Sequence, residues 1–233
     1  MPDPVQHAMV VTAHPDDAEF GCGGTVARLT RDGVRVTYCI LTSGDKGSSD
    51  RRMTPERLAR IREEEQRQAA RVLGVETVEF LGFPDCELEN TRQSRLAVCA
   101  AVRRHRPDLI ICQHPQRTKN LGASHRDHRV AGDIVLDVVY PLARDHMAFP
   151  ELLAQGLEPH RVREVHLMWW EHPEVVVDIT ETIELKLKAL ACHVSQIPDM
   201  ATVERRVRER SAALGAPRGY AYAEAFDRIV MDR

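Results

Sequence analysis

Short apolar, β-branched runs alternate along this chain with longer stretches of helical periodicity, and that alternation constrains the fold more than any other property of the sequence. Candidate strands are Ala8–Thr12, Val34–Leu41, Thr77–Leu81, Leu109–Gln113, Val162–Trp169 and Val175–Asp178. Helical patterns occupy Gly24–Asp32, Pro55–Leu73, Thr91–His105, Arg126–Val139, Thr180–His193 and Thr202–Leu214. Several of the strands are apolar on both faces, which suits a parallel sheet covered by helices on each side. The pattern predicts a doubly wound, Rossmann-like α/β fold with a mostly parallel sheet. In such sheets ligands collect beyond the carboxyl ends of the strands, and His14–Asp17 and His114 both fall at that edge.

A length of 233 residues predicts one domain spanning residues 1–233, with an irregular insertion near 140–160 where Pro141, Pro150, Gly156 and Pro159 interrupt any regular pattern. The Gly-, Ser- and Asp-rich connection Ser43–Met53 reads as a loop beside the strand-end edge. A formal net charge of −3 argues against a polyanion-binding surface and therefore against a nucleic-acid partner. Arg103-Arg104-His105-Arg106 reads as a solvated helix end. Six cysteines without a C-x-x-C pair read as packed free thiols, which suits a reducing cytoplasm. No apolar run approaches the roughly 18 residues needed to span a bilayer, so membrane insertion is not expected.

The chemistry concentrates in two clusters. Ala13-His14-Pro15-Asp16-Asp17 follows the first apolar run, and Ser124-His125-Arg126-Asp127-His128 opens a later helix. Either fragment alone has an ordinary reading, as an Asx-capped turn or as a helix start with its favoured acidic residue. Together, at strand ends of a parallel sheet, they favour a metal. Zinc in hydrolases takes three ligands from His and carboxylate and leaves a position for water; His14, Asp17 and His128 supply such a set, with Asp16 free to accept a proton. The glycine cluster Gly21-Cys22-Gly23-Gly24 does not fit a dinucleotide site, because no G-x-G-x-x-G follows the first strand in register.

The order of these motifs, with Thr42-Ser43-Gly44-Asp45-Lys46-Gly47, the helix through Arg62-Glu63-Glu64-Glu65, and the tail segments Lys188–Gln196 and Ala223–Phe226, resembles the PIG-L/LmbE-like zinc N-deacetylases over nearly the whole chain. The resemblance implies Zn2+ held by His14, Asp17 and His128, and Asp16 as general base. It also implies His125 as the group that stabilises an oxyanion or protonates the leaving amine, with Asp127 supporting a neighbouring histidine; beside His125 it would raise that imidazole's pKa. Arg62 and Asp85 match positions that contact the sugar, and His193 lies in a segment that lines the site in this family. The implied substrate is a small N-acetylated amino sugar of the N-acetylglucosamine type. The alternatives are an amidase acting on a sugar-linked thiol conjugate and a non-catalytic, metal-containing sugar-binding protein. A homo-oligomer is compatible with the family, and residues 140–160 are the first candidate for a subunit contact.

Several positions keep two readings. Arg62 lies three residues before Glu65 on a helix, so a structural ion pair and a substrate-binding arginine held by Glu65 are both open. Asp85 after Phe83-Pro84 is also an ordinary turn aspartate, and His114 and His193 suit packing or capping. Trp169-Trp170 reads most simply as core and sheet edge. Many family members carry Asp-x-His-Pro-Asp-His where this chain has Ala123–His128, so Arg126 faces either solvent or a negatively charged part of the substrate.

Overall fold

A computed structural model describes residues 4–119, 121, 124–168 and 173–231. Seven strands form one sheet in the order β3-β2-β1-β4-β5-β7-β6. They are β1 (His7–Thr12), β2 (Arg35–Thr42), β3 (Thr77–Phe83), β4 (Leu109–Gln113), β5 (Glu164–Met168), β6 (Val175–Asp178) and β7 (Ala223–Val230). The run from β3 to β5 is parallel, whereas β7 lies antiparallel between β5 and β6. The helices are α1 (Asp17–Arg31), α2 (Pro55–Val72), α3 (Arg92–His105), α4 (Arg126–Asp137), α5 (Pro150–Leu153), α6 (Ile183–Leu190) and α7 (Met200–Gly215). All six predicted strands and all six predicted helices are found, with shifted ends, but β7 was not foreseen as a strand.

The alternation along β1 explains the two layers. Met9 and Val11 face a core shared with α3 and α4 through Val98, Val102, Ile134 and Val135. Ala8 and Val10 face the other core, shared with α1 and α2 through Val26, Ala69 and Leu73. Each strand residue is thus buried on its own side, as a sheet sandwiched by helices requires. The chain winds outward from β1 through β2 to β3, then returns to place β4 on the other side of β1. That reversal opens a crevice at the carboxyl ends of β1 and β4.

Two local departures shape the crevice. The first helix begins at Asp17, not Gly24, and the glycine cluster lies inside it; Cys22 alone leaves helical geometry, at φ −146° and ψ 17°. Glycine is demanded there by packing: a Cβ on Gly24 would sit 2.7 Å from Ile179 Cδ1. The kink gives α1 a second amino end, where the Gly24 and Thr25 N–H groups donate to the Glu224 carboxylate of β7 at 3.0 and 2.7 Å. A carboxylate is the preferred neighbour of such an end, and buried Lys186 donates to it at 2.6 Å.

The second departure lies after α4, where one π turn (Val138–Leu142) and α5 give residues 140–160 more order than the irregular insertion expected. Arg103 is the reason. Read from sequence as part of a solvated helix end, it is 2% exposed, and its guanidinium donates to the carbonyls of Leu142, Asp145 and Ala148 at 2.9, 2.7 and 3.0 Å. Cys22, Cys39, Cys99 and Cys112 are buried free thiols, while Cys86 is exposed and Cys192 partly so. Trp169-Trp170 lie outside the described residues. Among the described residues, no helix is long and apolar enough to cross a membrane.

Candidate metal centre

The turn after β1 brings His14, Asp16 and Asp17 into the crevice, and α4 begins opposite it with His125, Asp127 and His128. Asp16 takes φ 96°, the left-handed region, as the residue before α1. This conformation costs a non-glycine residue free energy and is often found at functional sites. Its N–H is held by Gln66 Oε1 at 2.8 Å, and the Pro15 carbonyl by Arg62 Nη2 at 2.6 Å. Asp17 turns back so that its Oδ2 accepts the His14 N–H at 2.7 Å and the Gln113 Nε2–H at 2.7 Å. Gln113, the last residue of β4, also accepts the Ala13 N–H, so one side chain ties the two strand ends together.

Three side chains converge within this frame, Asp17 through both of its oxygens. His14 Nδ1 lies 3.2 Å from His128 Nε2 and 3.3 Å from Asp17 Oδ2, and His128 Nε2 lies 3.0 Å from Asp17 Oδ1. A tetrahedral ion with bonds of about 2.0 Å separates its ligand atoms by about 3.3 Å. The spacing, the His2Asp composition and the burial of all three residues therefore fit a four-coordinate divalent ion with one open position. On the far side of the ring, His14 Nε2 has Asp85 Oδ1 at 3.1 Å and Asp127 Oδ2 at 3.4 Å. Carboxylates behind a ligating imidazole fix its tautomer and strengthen it as a donor.

The electrostatics follow from this crowding. Burial opposes protonation of His14, but Asp127, Asp17 and Asp85 outweigh it and hold its pKa well above the usual value. Burial would raise Asp17; the neighbouring His128 and His14 reverse that and hold it well below. Asp16 behaves oppositely. Burial pushes its carboxyl up to about 6, against the lowering pull of Arg62 and with the repulsion of Asp17 added. A carboxylate near neutrality beside the converging side chains of His14, Asp17 and His128 suits a proton acceptor.

His125 caps α4, and its Nδ1 accepts the Asp127 N–H at 3.2 Å. That bond leaves Nδ1 without a proton, so the neutral ring carries its proton on Nε2. Its pKa lies below the usual value, lowered by burial and then by His14 and His128. Asp127 is wholly buried; it accepts the Cys86 N–H at 2.6 Å and lies 3.4 Å from His14 Nε2, so its carboxylate supports His14, and its upward pull on the His125 pKa is outweighed by burial, His14 and His128. His14, His125 and His128 still present ring nitrogens within 4.8 Å of one another.

The remaining expected residues divide. Asp85 reaches the site beside His14. Arg62 is 4% exposed and donates to Gly44 O, Pro15 O and Asp16 Oδ2 at 2.9, 2.6 and 3.2 Å. It turns to Asp16, while Glu65 is taken by the Ser195 N–H and hydroxyl at 2.8 and 2.6 Å, so the anticipated Arg62–Glu65 pair is replaced by two others. His193 stands behind the site, with no exposed surface and its Nε2 3.1 Å from Glu19 Oε2. Arg126 donates to Leu88 O at 2.5 Å and Asp127 Oδ1 at 3.1 Å, clipping α4 to the loop after β3. Sequence reasoning missed Gln66 and Gln113; the only signal for Gln113 was a polar residue closing an apolar strand at the crevice edge.

Comparison with known proteins adds a lineage to this geometry. The family described as GlcNAc-PI de-N-acetylase, PIG-L, matches residues 9–139. The chain is 33% identical over 222 residues to a diacetylchitobiose deacetylase of Thermococcus kodakarensis, covering 94% of this chain and 82% of the relative. It is 29% identical over 214 residues to a probable N-acetyl-alpha-D-glucosaminyl L-malate deacetylase 2 of Bacillus cereus, covering 89% and 92%. The solved N,N'-diacetylchitobiose deacetylase from Pyrococcus horikoshii superposes with a TM-score of 0.91 at 31% identity, over 97% of this chain and 84% of that one.

Proposed function

Because the chain belongs to the PIG-L family, we propose that it is a zinc-dependent hydrolase that removes the acetyl group from an N-acetylglucosamine-type sugar. The observation that carries this reading is the convergence of His14 Nδ1, Asp17 and His128 Nε2 at 3.0–3.3 Å with the unliganded carboxylate of Asp16 alongside. Zinc suits two imidazoles and a carboxylate better than a hard-oxygen cation does. Held by His14, Asp17 and His128, the ion supplies Lewis acidity that lowers the pKa of a water and polarises the acetyl carbonyl.

The other roles belong to the chain. Asp16 accepts the attacking water's proton, and Arg62, bonded to Asp16 Oδ2 and Pro15 O, fixes that carboxylate's direction. His125, with its proton on Nε2, donates to the oxygen that gains charge as the carbonyl carbon becomes tetrahedral. The departing amine takes a proton from Asp16 or His125. Asp127 orients His14, and Asp85 combines that task with a place at the wall where the sugar binds. His193 acts at a distance on Asp16 through charge.

The test is release of free amine from N,N'-diacetylchitobiose by zinc-loaded protein, with chelated protein as the control. Turnover that vanishes on chelation and returns with zinc supports the proposal. Zinc-independent turnover, or none in fully loaded protein with either this disaccharide or N-acetylglucosamine, refutes it.

A further inference from the structure

The loop after β3 and the start of α4 meet beside the metal centre, and Cys86 stands between them. This cysteine takes φ 63° and is exposed. Its N–H is fixed by Asp127 Oδ2 at 2.6 Å, and Arg126 holds the same loop through Leu88 O. The thiol is thereby carried to 3.4 Å from Asp85 Oδ1 and 4.0 Å from His125 Nε2. One thiol, one carboxylate and one imidazole thus present donor atoms within 4.8 Å of one another. None of the three belongs to the set His14, Asp17 and His128.

These separations suit a second ion. Zinc holds sulfur at about 2.3 Å and nitrogen or oxygen at about 2.0–2.2 Å, so a sulfur ligand lies about 3.6 Å from its neighbours around a tetrahedral ion. The two spacings from the Cys86 sulfur bracket that value. Asp85 is already aimed: its N–H donates to Asp45 Oδ1 at 2.8 Å, and its Oδ2 accepts the Lys46 N–H at 3.4 Å, which leaves Oδ1 for the thiol. Oδ1 also meets His14 Nε2 at 3.1 Å, but Asp127 Oδ2, at 3.4 Å, stays behind that ring when Asp85 turns to an ion. His125 gives up its 3.2 Å contact with the Asp127 N–H, because a neutral ring bound through Nε2 carries its proton on Nδ1. That loss, and the exposure of Cys86, make the set weaker than the buried one. A thiolate beside an imidazole selects zinc or cadmium over magnesium.

We propose that Asp85, Cys86 and His125 form a second, weaker site for a soft divalent ion, and that excess zinc bound there shuts the enzyme. Cys86 loses its thiol proton to solvent as the sulfur–metal bond forms, and the imidazole proton of His125 passes from Nε2 to Nδ1 by exchange with water. Nothing is oxidised or reduced. The site stands on geometry alone, whereas the inhibition rests on the deacetylase reading, in which His125 Nε2 serves the oxyanion and Asp85 the sugar. An ion held by both residues competes with the substrate for the same atoms.

The experiment adds zinc to protein already loaded with one equivalent and follows turnover of N,N'-diacetylchitobiose. Activity should fall as zinc exceeds that equivalent, with KM raised and kcat kept, and magnesium should not inhibit. Cys86→Ser should keep the activity at one equivalent and need at least about 10-fold more zinc for half-inhibition, since loss of even a partner behind a ligand commonly costs about 10- to 100-fold in metal affinity. Cys192→Ser, at the partly exposed thiol, should behave as the wild type. Cadmium added to the one-zinc protein gives a readout free of turnover: an ultraviolet sulfur-to-metal absorption should appear in the wild type and in Cys192→Ser and be absent from Cys86→Ser. No such band in the wild type, or one that persists in Cys86→Ser, overturns the site. Inhibition that is absent, or equal in Cys86→Ser, overturns its effect on the enzyme, and activity lost in Cys86→Ser at one equivalent would place the thiol in the reaction and overturn it too. A protein without turnover at any zinc level refutes the deacetylase reading, while the cadmium band still decides the site.

Discussion

Gly132 of α4 offers a direct test of whether the site depends on how closely that helix approaches the sheet. A Cβ at this position would lie 2.3 Å from the Gln113 carbonyl oxygen and 3.0 Å from Pro115 N, both backbone atoms that cannot swing aside. A comfortable carbon–oxygen contact needs about 3.3 Å, so Gly132→Ala must move α4 and the end of β4 apart by about 1 Å. Alanine gains about 1 kcal/mol of helix propensity over glycine, whereas forced overpacking costs about 1–3 kcal/mol. The net effect is a loss of up to about 2 kcal/mol. Function should suffer more, because His128 sits one turn earlier on the same helix, with its Nε2 3.0 Å from Asp17 Oδ1. A 1 Å misplacement at a reacting centre costs about 10²-fold in rate. Urea unfolding, zinc affinity and kcat/KM on N,N'-diacetylchitobiose are the readouts. A variant as stable, as tight for zinc and as active as the wild type would show that the close approach at Gly132 does not position the site.

His14→Ala and His128→Ala should each lose stoichiometric zinc together with activity, checked by metal analysis after dialysis; retention at wild-type affinity would remove that residue from the ligand set. Asp16→Asn should keep zinc but lose about 10² to 10⁴ in kcat, the usual contribution of a general base, and near-normal turnover would exclude Asp16 from proton transfer. His7, buried in β1 and hydrogen-bonded to Thr37 Oγ1, has its pKa lowered to about 4 by burial and then by Arg35. A depressed imidazole leaves stability intact above about 6.5 and erodes it as pH falls from there towards 4, because the unfolded chain takes the proton first. Urea unfolding between pH 7 and 4.5 should show a shallower decline in His7→Gln than in the wild type, and equal slopes would remove His7 as a source of acid sensitivity.

What the sequence revealed follows the range of the interactions involved. Strands β1 to β6 and the long helices were legible because periodicity is local, and Thr91 at the start of α3 even forms a capping box with Ser94. The convergence of His14, Asp17 and His128 was legible because His14 and Asp17 share a turn and His128 opens a helix at the same sheet edge. β7 was hidden: Glu224, Asp227 and Arg228 break up its apolar signal, and Glu224 is buried only because Lys186 and the kinked α1 await it. The partners of Arg62 and Glu65 were hidden for a similar reason. Spacing on α2 placed the two residues together, but tertiary neighbours 46 and 130 residues away in sequence, Asp16 and Ser195, claimed them separately. Arg103 was misread because a solvent-facing helix end and one covered by residues 142–148 share the same local pattern.

The carboxylate that Glu224 lends to α1 also sets an order of assembly. The Gly24 and Thr25 amides that it caps are about 200 residues upstream, so during synthesis they emerge long before their partner exists. Contacts of such sequence separation form late and slow the search for the native state. The inner amino end of the helix that carries Asp17 therefore gains its cap only once β7 lies between β5 and β6.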